Sequence, residues 1–428
     1  MKKSSLAIAS LIPIFLVAFG VLTLPDAPLI FFWTAALYTA ATEFFPIGVE
    51  RDRPLSTLSY RPTYRIALMG LWVGLACLSK YHGALLGAGL VGFCLTSSRH
   101  RRVLGSPWML VSVGLFLLAI APILIWNLEH DWVSLRFQAD RAVPESSYRW
   151  RDMLGTALVG IAYLFPTFGV PLWWVSGRAL LSPLRKLRLP SLRHRLVLWT
   201  ALPLILGFTL MGGYRPILPT WAMPGFWSTT LLLGTYADGW YQRSPRAVYR
   251  WLWGSGWAIA LLLVVALLHI NLGLFQSGSR YALGGLTLAP ENDASVQLFD
   301  ICQVRERWQA SPTAIAALHQ ADFVFTDNIY LAGQVGMAIA PISDVPVTVL
   351  DDDLRGFAFW STAEEWVGHD SLYVATTWQT RTDPTRYEPY FESIQPIAEL
   401  PLQRGGGVVQ TLNLYAAQTL QRSYPRPY

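Results

Sequence analysis

Long apolar runs, separated by short polar, basic or proline-rich turns, dominate the first 275 residues. The stretches 5–24, 28–45, 64–79, 83–96, 107–126, 153–174, 196–212, 221–236 and 252–274 approach the roughly 20 residues that cross about 30 Å of hydrocarbon. About nine membrane-spanning helices are therefore predicted. From about Ser277 onward the pattern changes to that of a water-facing domain. "ADFVFTD", "VPVTVL", "SLYVATT" and "VVQTLNLYAA" read as strands, while "FDICQVRERWQASPTAIAALHQ" and "NIYLAGQVGMAIA" read as helices. The expected architecture is a polytopic all-α membrane bundle over 1–275, followed by a small extracytoplasmic α/β domain over 276–428.

Composition agrees with a lipid solvent for the first part. Charged residues make up 14% of the chain and hydrophobic ones 53%, against about 25% charged in a soluble domain. The net charge of +6 raises nucleic acid as a partner. The basic residues, however, fall in short runs between apolar segments, and this excludes nucleic acid and points to the bilayer. Lys2 and Lys3, Arg51 to Arg65, Arg99 to Arg102, Arg178 to Arg195 and Arg243 to Arg250 all fall on one side of the nine crossings. The positive-inside rule makes that side the cytoplasm, with a cytoplasmic amino terminus in a plasma (inner) membrane. "MKKSSLAIASLIPIFLVAFG" also has the layout of a secretory signal, but no A-x-A-like cleavage site follows it, so it is read as a span. Cys77, Cys94 and Cys302 have neither C-x-x-C nor metal-ligand spacing, so no metal site or cofactor is expected, a divalent cation remaining open.

The polar constellations gather at the other, outward ends of the spans. Asp26, between two prolines at a helix start, is either a solvated helix-opening acid or a general base facing an outward cavity. Lys80 and Tyr81 interrupt two apolar runs, where the lysine either snorkels to the interface or meets a headgroup phosphate. In "IWNLEHDWVSLRFQADR" the tryptophans have the default reading of interfacial anchors. Yet Arg136, Arg141 and Arg149 follow on the side where arginine is disfavoured. Nearby acids neutralise them, or they hold an anionic lipid phosphate bidentately. His130 beside Asp131 is an ordinary hydrogen-bonded histidine, a proton carrier or a metal ligand. Arg215 lies in the proline-rich turn "YRPILPTW", which is a rigid connector or part of the same outward site. "LDDDLRGFAFW" reads as a solvated loop. No phosphate-cradling glycine loop, serine nucleophile elbow or H-E-x-x-H is present.

Taken in order, "TLPDAPLIFFWTAALY", "GLACLSKYHGALL", "PILIWNLEHDWVSLRFQADR", "YRPILPTWAMPGF" and "ADFVFTDNIYLAGQVGMAI" resemble the bacterial branch of the protein mannosyltransferase-like glycosyltransferases (glycosyltransferase family 39, C-type superfamily). The resemblance implies a multi-pass enzyme that takes a sugar from a polyisoprenyl-phosphate donor and transfers it, outside the cytoplasm, to a lipid, glycan or protein acceptor. It makes Asp26 the second acidic position of the family and the candidate catalytic carboxylate. Lys80 with Tyr81 matches the "SKY" hinge. Asn127, His130, Asp131 and Trp132 match the "WN-x-x-H-D-W" segment, and Arg141 the basic residue closing it. These residues, with Arg136, Arg149 and Arg215, are expected to bind substrate.

One departure stands out. The family's first spans and first outer loop, with its acidic D-E pair, have no counterpart before Asp26. A misassigned start, a split gene and a degenerate enzyme would each explain this. An inactive or partner-requiring fragment and a membrane transporter or flippase therefore stand as alternatives. A transporter should show charges deep in several spans and pseudo-symmetric halves, and the sequence has few of the first and none of the second.

Overall fold

The structure, a computed structural model, describes residues 12, 15, 24–46, 60–142, 147–181, 191–285, 287–377 and 383–426, with backbone only at 141 and 142. The first predicted span, 5–24, falls almost wholly outside these residues. By its internal contacts the chain divides into two units, 1–260 and 261–428.

The first unit is helical: α1 Asp26–Phe44, α2 Arg65–Ser79, α3 Gly83–Thr96, α4 Pro107–Glu129, α5 Val133–Ala142, α6 Trp150–Tyr163, α7 Pro166–Leu181, α8 Leu192–Met211, α9 Met223–Arg243 and α10 Pro245–Leu272, the last running past the boundary. Among the described residues, α4, α8 and α10, of 23, 20 and 28 residues, are long and apolar enough to cross a membrane. Their outward faces carry the same message. Leu110 and Leu118 of α4 and Trp257 of α10 are 77%, 69% and 70% exposed, an arrangement that water penalises and hydrocarbon does not.

Trp33, Phe44, Leu86 and Phe93 are fully buried where α1, α2 and α3 meet. α2 packs on α1, α3 and α4, and α8 packs on α3 and α9. Glycine permits the α2–α4 and α3–α8 crossings. A Cβ on Gly70 would lie 2.1 Å from the Ser112 carbonyl of α4, and one on Gly89 would lie 2.4 Å from the Trp199 carbonyl of α8, the small-residue approach typical of membrane helices. Two tryptophans pin α1 to α9: Trp33 Nε1 donates to Ser228 Oγ at 2.8 Å, and Trp227 Nε1 donates to Thr34 Oγ1 at 2.9 Å. At the far end of α1 the buried Glu43 carboxylate accepts from Tyr60 Oη at 2.7 Å and from the Thr63 amide at 3.0 Å.

The predicted span 153–174 is broken. α6 ends at Tyr163 and α7 begins at Pro166. Pro166 has no amide hydrogen and crowds the residue before it out of the helical region. Phe165 takes a left-handed φ of 63° instead.

The second unit is an α/β domain. Its sheet has the order β2-β1-β3-β5-β4, with β1 Phe323–Thr326, β2 Val347–Val349, β3 Ser371–Thr376, β4 Phe391–Arg404 and β5 Gly407–Leu420. β1 lies parallel to β2 and β3, and β5 lies antiparallel to β3 and β4. Helices α11 Ile301–Ala310, α12 Pro312–Gln320 and α13 Ile329–Ile339 contribute Trp308, Leu318 and Val335 to a core shared with Val324, Leu372 and Leu414. The opposite face is aromatic, with Phe325, Tyr373, Tyr387 and Phe391. The helix expected across 299–320 is two helices, because Ser311 caps the second by accepting from the Ala314 amide and Pro312 opens it. β4 was not foreseen. It carries Pro396 and Pro401, which are tolerated because β4 is the last strand of the sheet and its register shifts after Pro396.

Candidate functional site

The first unit brings two of the predicted site residues into direct contact. Asp26 sits in the first turn of α1, behind Pro25, where a carboxylate is favoured by the exposed amides and dipole of a helix start. Lys80 ends α2 in an extended conformation, which turns its side chain back across the bundle. Its Nζ donates to both carboxylate oxygens, at 2.8 and 2.9 Å. The Asp26 side chain is 5% exposed and that of Lys80 19%, so each ion offsets the other's desolvation. A lysine ammonium has three N–H donors. Two face Asp26, and a third is left for another anion.

The next residue continues the network. Tyr81 Oη lies 2.7 Å from Ser134 Oγ, and Ser134 donates to Asn127 Oδ1 at 2.8 Å. The serine hydrogen is thereby used, so Tyr81 is the donor to Ser134. Asn127, 1% exposed, donates in turn to the Ile123 carbonyl. The hinge between α2 and α3 is thus tied to the turn between α4 and α5. The sequence reading missed Ser134. Its only sequence signal is its position seven residues after Asn127, just past the turn.

That turn is tightly wound. Asp131 and Trp132 take φ values of 52° and 61°, an uncommon conformation for side-chain-bearing residues. The Trp132 amide donates to the Asn127 carbonyl at 2.8 Å. Both residues are exposed as a result. His130 stacks on Trp126, with ring centroids 4.3 Å apart, and its Nδ1 donates to the Trp126 carbonyl at 2.8 Å. In the neutral ring this leaves Nε2 as the acceptor. His82, two residues after Lys80, packs against both Phe208 and Trp221. Burial and, secondarily, the nearby Lys80 charge lower its pKa to about 3, so it is neutral at physiological pH.

The arginines are placed differently. Arg136 is exposed on α5. Arg149 pairs with Asp152 at 2.6 Å, while its amide donates to the Gly213 carbonyl at 2.7 Å. That bond, with the Tyr148–Tyr214 ring contact, joins the start of α6 to the turn holding the half-buried Arg215. The Arg141 side chain lies outside the described residues. Among the described residues no group of three or more His, Cys, Asp or Glu could hold a metal ion.

A membrane helical bundle with a buried carboxylate–ammonium pair at its helix ends defines the class, and comparison with known proteins narrows it. A family model described as dolichyl-phosphate-mannose-protein mannosyltransferase matches residues 3–126, which include Asp26, Lys80 and Tyr81. The lipid A galacturonosyltransferase RgtD of Rhizobium johnstonii is 26% identical over 178 residues, 41% of this chain and 36% of that protein. The match thus spans about a third of the relative's length. No solved structure matches. The chain is therefore similar, in its amino-terminal part, to the mannosyltransferase-like glycosyltransferases.

Proposed function

We propose that the protein is a membrane glycosyltransferase that takes a sugar from a polyisoprenyl-phosphate donor and passes it to a lipid, glycan or protein acceptor at the outer face of the inner membrane. The observation that carries this reading is the buried Asp26–Lys80 pair inside the segment that matches the mannosyltransferase family. In the proposed reaction the acceptor hydroxyl loses its proton to Asp26 while its oxygen bonds to the anomeric carbon. The bond from that carbon to the phosphate oxygen breaks, and the electron pair leaves with the lipid phosphate. Lys80, through its remaining N–H, and Arg141, joined by Arg136 and Arg149, stabilise that departing charge. Tyr81, Asn127, His130, Asp131, Trp132 and Arg215 shape the walls of the donor and acceptor sites. In this reading the chain crosses the membrane about nine times, its amino terminus is cytoplasmic, and residues 276–428 lie outside, where they help choose the acceptor.

The test is sugar transfer in membranes carrying the full chain or its Asp26→Asn variant, offered polyprenyl-phosphate donors beginning with mannose and galacturonic acid. The variant should lose about 10²- to 10⁴-fold in rate, the usual size of a general-base contribution. Unchanged transfer removes Asp26 from catalysis. Movement of the lipid across the bilayer without transfer by the wild type would favour a flippase.

A further inference from the structure

The first unit contains an apolar groove that the proposed reaction does not use. It has a volume of about 290 Å³ and is bounded by α2, α3 and α4, with Met69, Val73, Gly87, Val91, Leu104 and Val113 among its walls. α2 forms the floor, packing on both α3 and α4. Val91 and Val113 on the two walls are exposed, so the groove opens sideways, toward the lipid phase in a membrane. An apolar cavity of about 150 Å³ accepts benzene. This one is nearly twice as large and takes a stretch of hydrocarbon chain.

The groove is closed at one end by the short 3₁₀ turn Arg101–Gly105, which supplies Val103 and Leu104 to it. The same turn presents Arg101 and Arg102 on its exposed side. Arg101 donates to the Leu95 carbonyl through Nε and Nη2, at 3.3 and 3.0 Å, which holds the guanidinium beside the end of α3 while leaving its charge in place. Arg195 reaches the same end, donating to the Thr96 carbonyl. Nothing nearby in sequence balances these cations. Between Asp52 and Glu129 the chain has no acidic residue at all. α2 gives the groove Ile66, Met69, Gly70 and Val73, and Asp26, Lys80 and Tyr81 are not among the residues that line it, so it is distinct from the site proposed above.

We propose that this groove binds one anionic phospholipid, an acyl chain lying between α3 and α4 and the phosphate headgroup against Arg101 and Arg102. The physical basis is twofold. Hydrocarbon fills an apolar space that water cannot wet, and a basic rim between membrane helices selects a negative headgroup. A neutral lipid would gain the first term and lack the second.

The test uses the full-length protein in detergent, titrated with palmitoyl-oleoyl phosphatidylglycerol or phosphatidylcholine and weighed intact by native mass spectrometry. One phosphatidylglycerol per chain should be retained at low ionic strength, favoured over phosphatidylcholine by roughly fivefold for each rim arginine. Arg101→Gln with Arg102→Gln, both at exposed positions, should bring the two lipids near parity with an unchanged thermal midpoint. Val91→Trp with Val113→Trp, which narrows the mouth, should release both. Equal retention of the two lipids by the wild type overturns the proposal, as does a charge variant that keeps the preference or a folded mouth variant that holds as much lipid as before. Should the mouth variant fail to fold, the wild-type ratio and the charge variant decide. Sugar transfer is not among the readouts, so the outcome is independent of the proposed reaction.

Discussion

At the scale of single residues, the first unit concentrates its electrostatic cost in one place. Asp26 and Lys80 are both largely withdrawn from solvent, so removing one partner strands the other. Lys80→Met leaves an uncompensated buried carboxylate, at a cost of about 3 to 5 kcal/mol. Asp26→Asn combined with Lys80→Met removes both charges and should be milder than Lys80→Met alone. Thermal unfolding in detergent of the two singles and the double reads this directly. A double variant worse than Lys80→Met would mean that the pair is held by something other than mutual compensation. Asp26 and Lys80 were each legible in the sequence, because a charge that interrupts an apolar run is conspicuous. Their pairing was not, because 54 positions separate them and only the packing of α1 on α2 closes that distance. Ser134 shows the opposite case. A lone serine after a turn carries no signal until the fold places it between Tyr81 and Asn127.

At the scale of elements, the helix crossings are the sensitive points. Gly89 lets α3 reach the α8 backbone, and Gly89→Val would put a branched side chain where a Cβ alone already meets a carbonyl at 2.4 Å. Overpacking of this kind typically costs 1 to 3 kcal/mol or more. The variant should show a lower thermal midpoint and less folded protein in membranes by size-exclusion profile. Gly105, whose Cβ would meet nothing within 4 Å, provides the control at which valine should be tolerated far better. An equal loss at both positions would remove the crossing as the cause. Element type was legible wherever a continuous apolar run was bounded by polar or turn residues, as in α2, α3, α4 and the strands of "ADFVFTD" and "SLYVATT". Boundaries were not, where a proline intervened. Pro166 splits one expected span and Pro312 one expected helix, and hydropathy is insensitive to a missing amide hydrogen. β4 escaped for a related reason: its two prolines and mixed burial pattern obscure the alternation that identifies a half-buried strand.

At the scale of the whole molecule, the cysteines offer a reading of orientation. Cys77 and Cys94 are buried in the first unit and Cys302 is exposed on α11 in the second. A membrane-impermeant maleimide applied to intact cells with a permeabilised outer envelope should therefore label Cys302 if residues 276–428 face outward as proposed. Cys302→Ser gives the background. Labelling of Cys302 only after the inner membrane is opened would place the domain in the cytoplasm and reverse the assignment of every loop.

Much of the solvent partition and local conformation was written in the sequence: the apolar character of α4, α8 and α10, the places of β1, β2, β3 and β5, and which charged residues stand out against an apolar background. These follow from properties of short windows, because burial pattern and backbone propensity act over a few neighbouring residues. The meeting of Asp26 with Lys80, the bridge through Ser134 and the groove under Arg101 and Arg102 were decided by tertiary structure alone. Each depends on the distance and angle at which two helices cross, and those are set by the glycines and side chains of the partner helix, which no window along one segment contains.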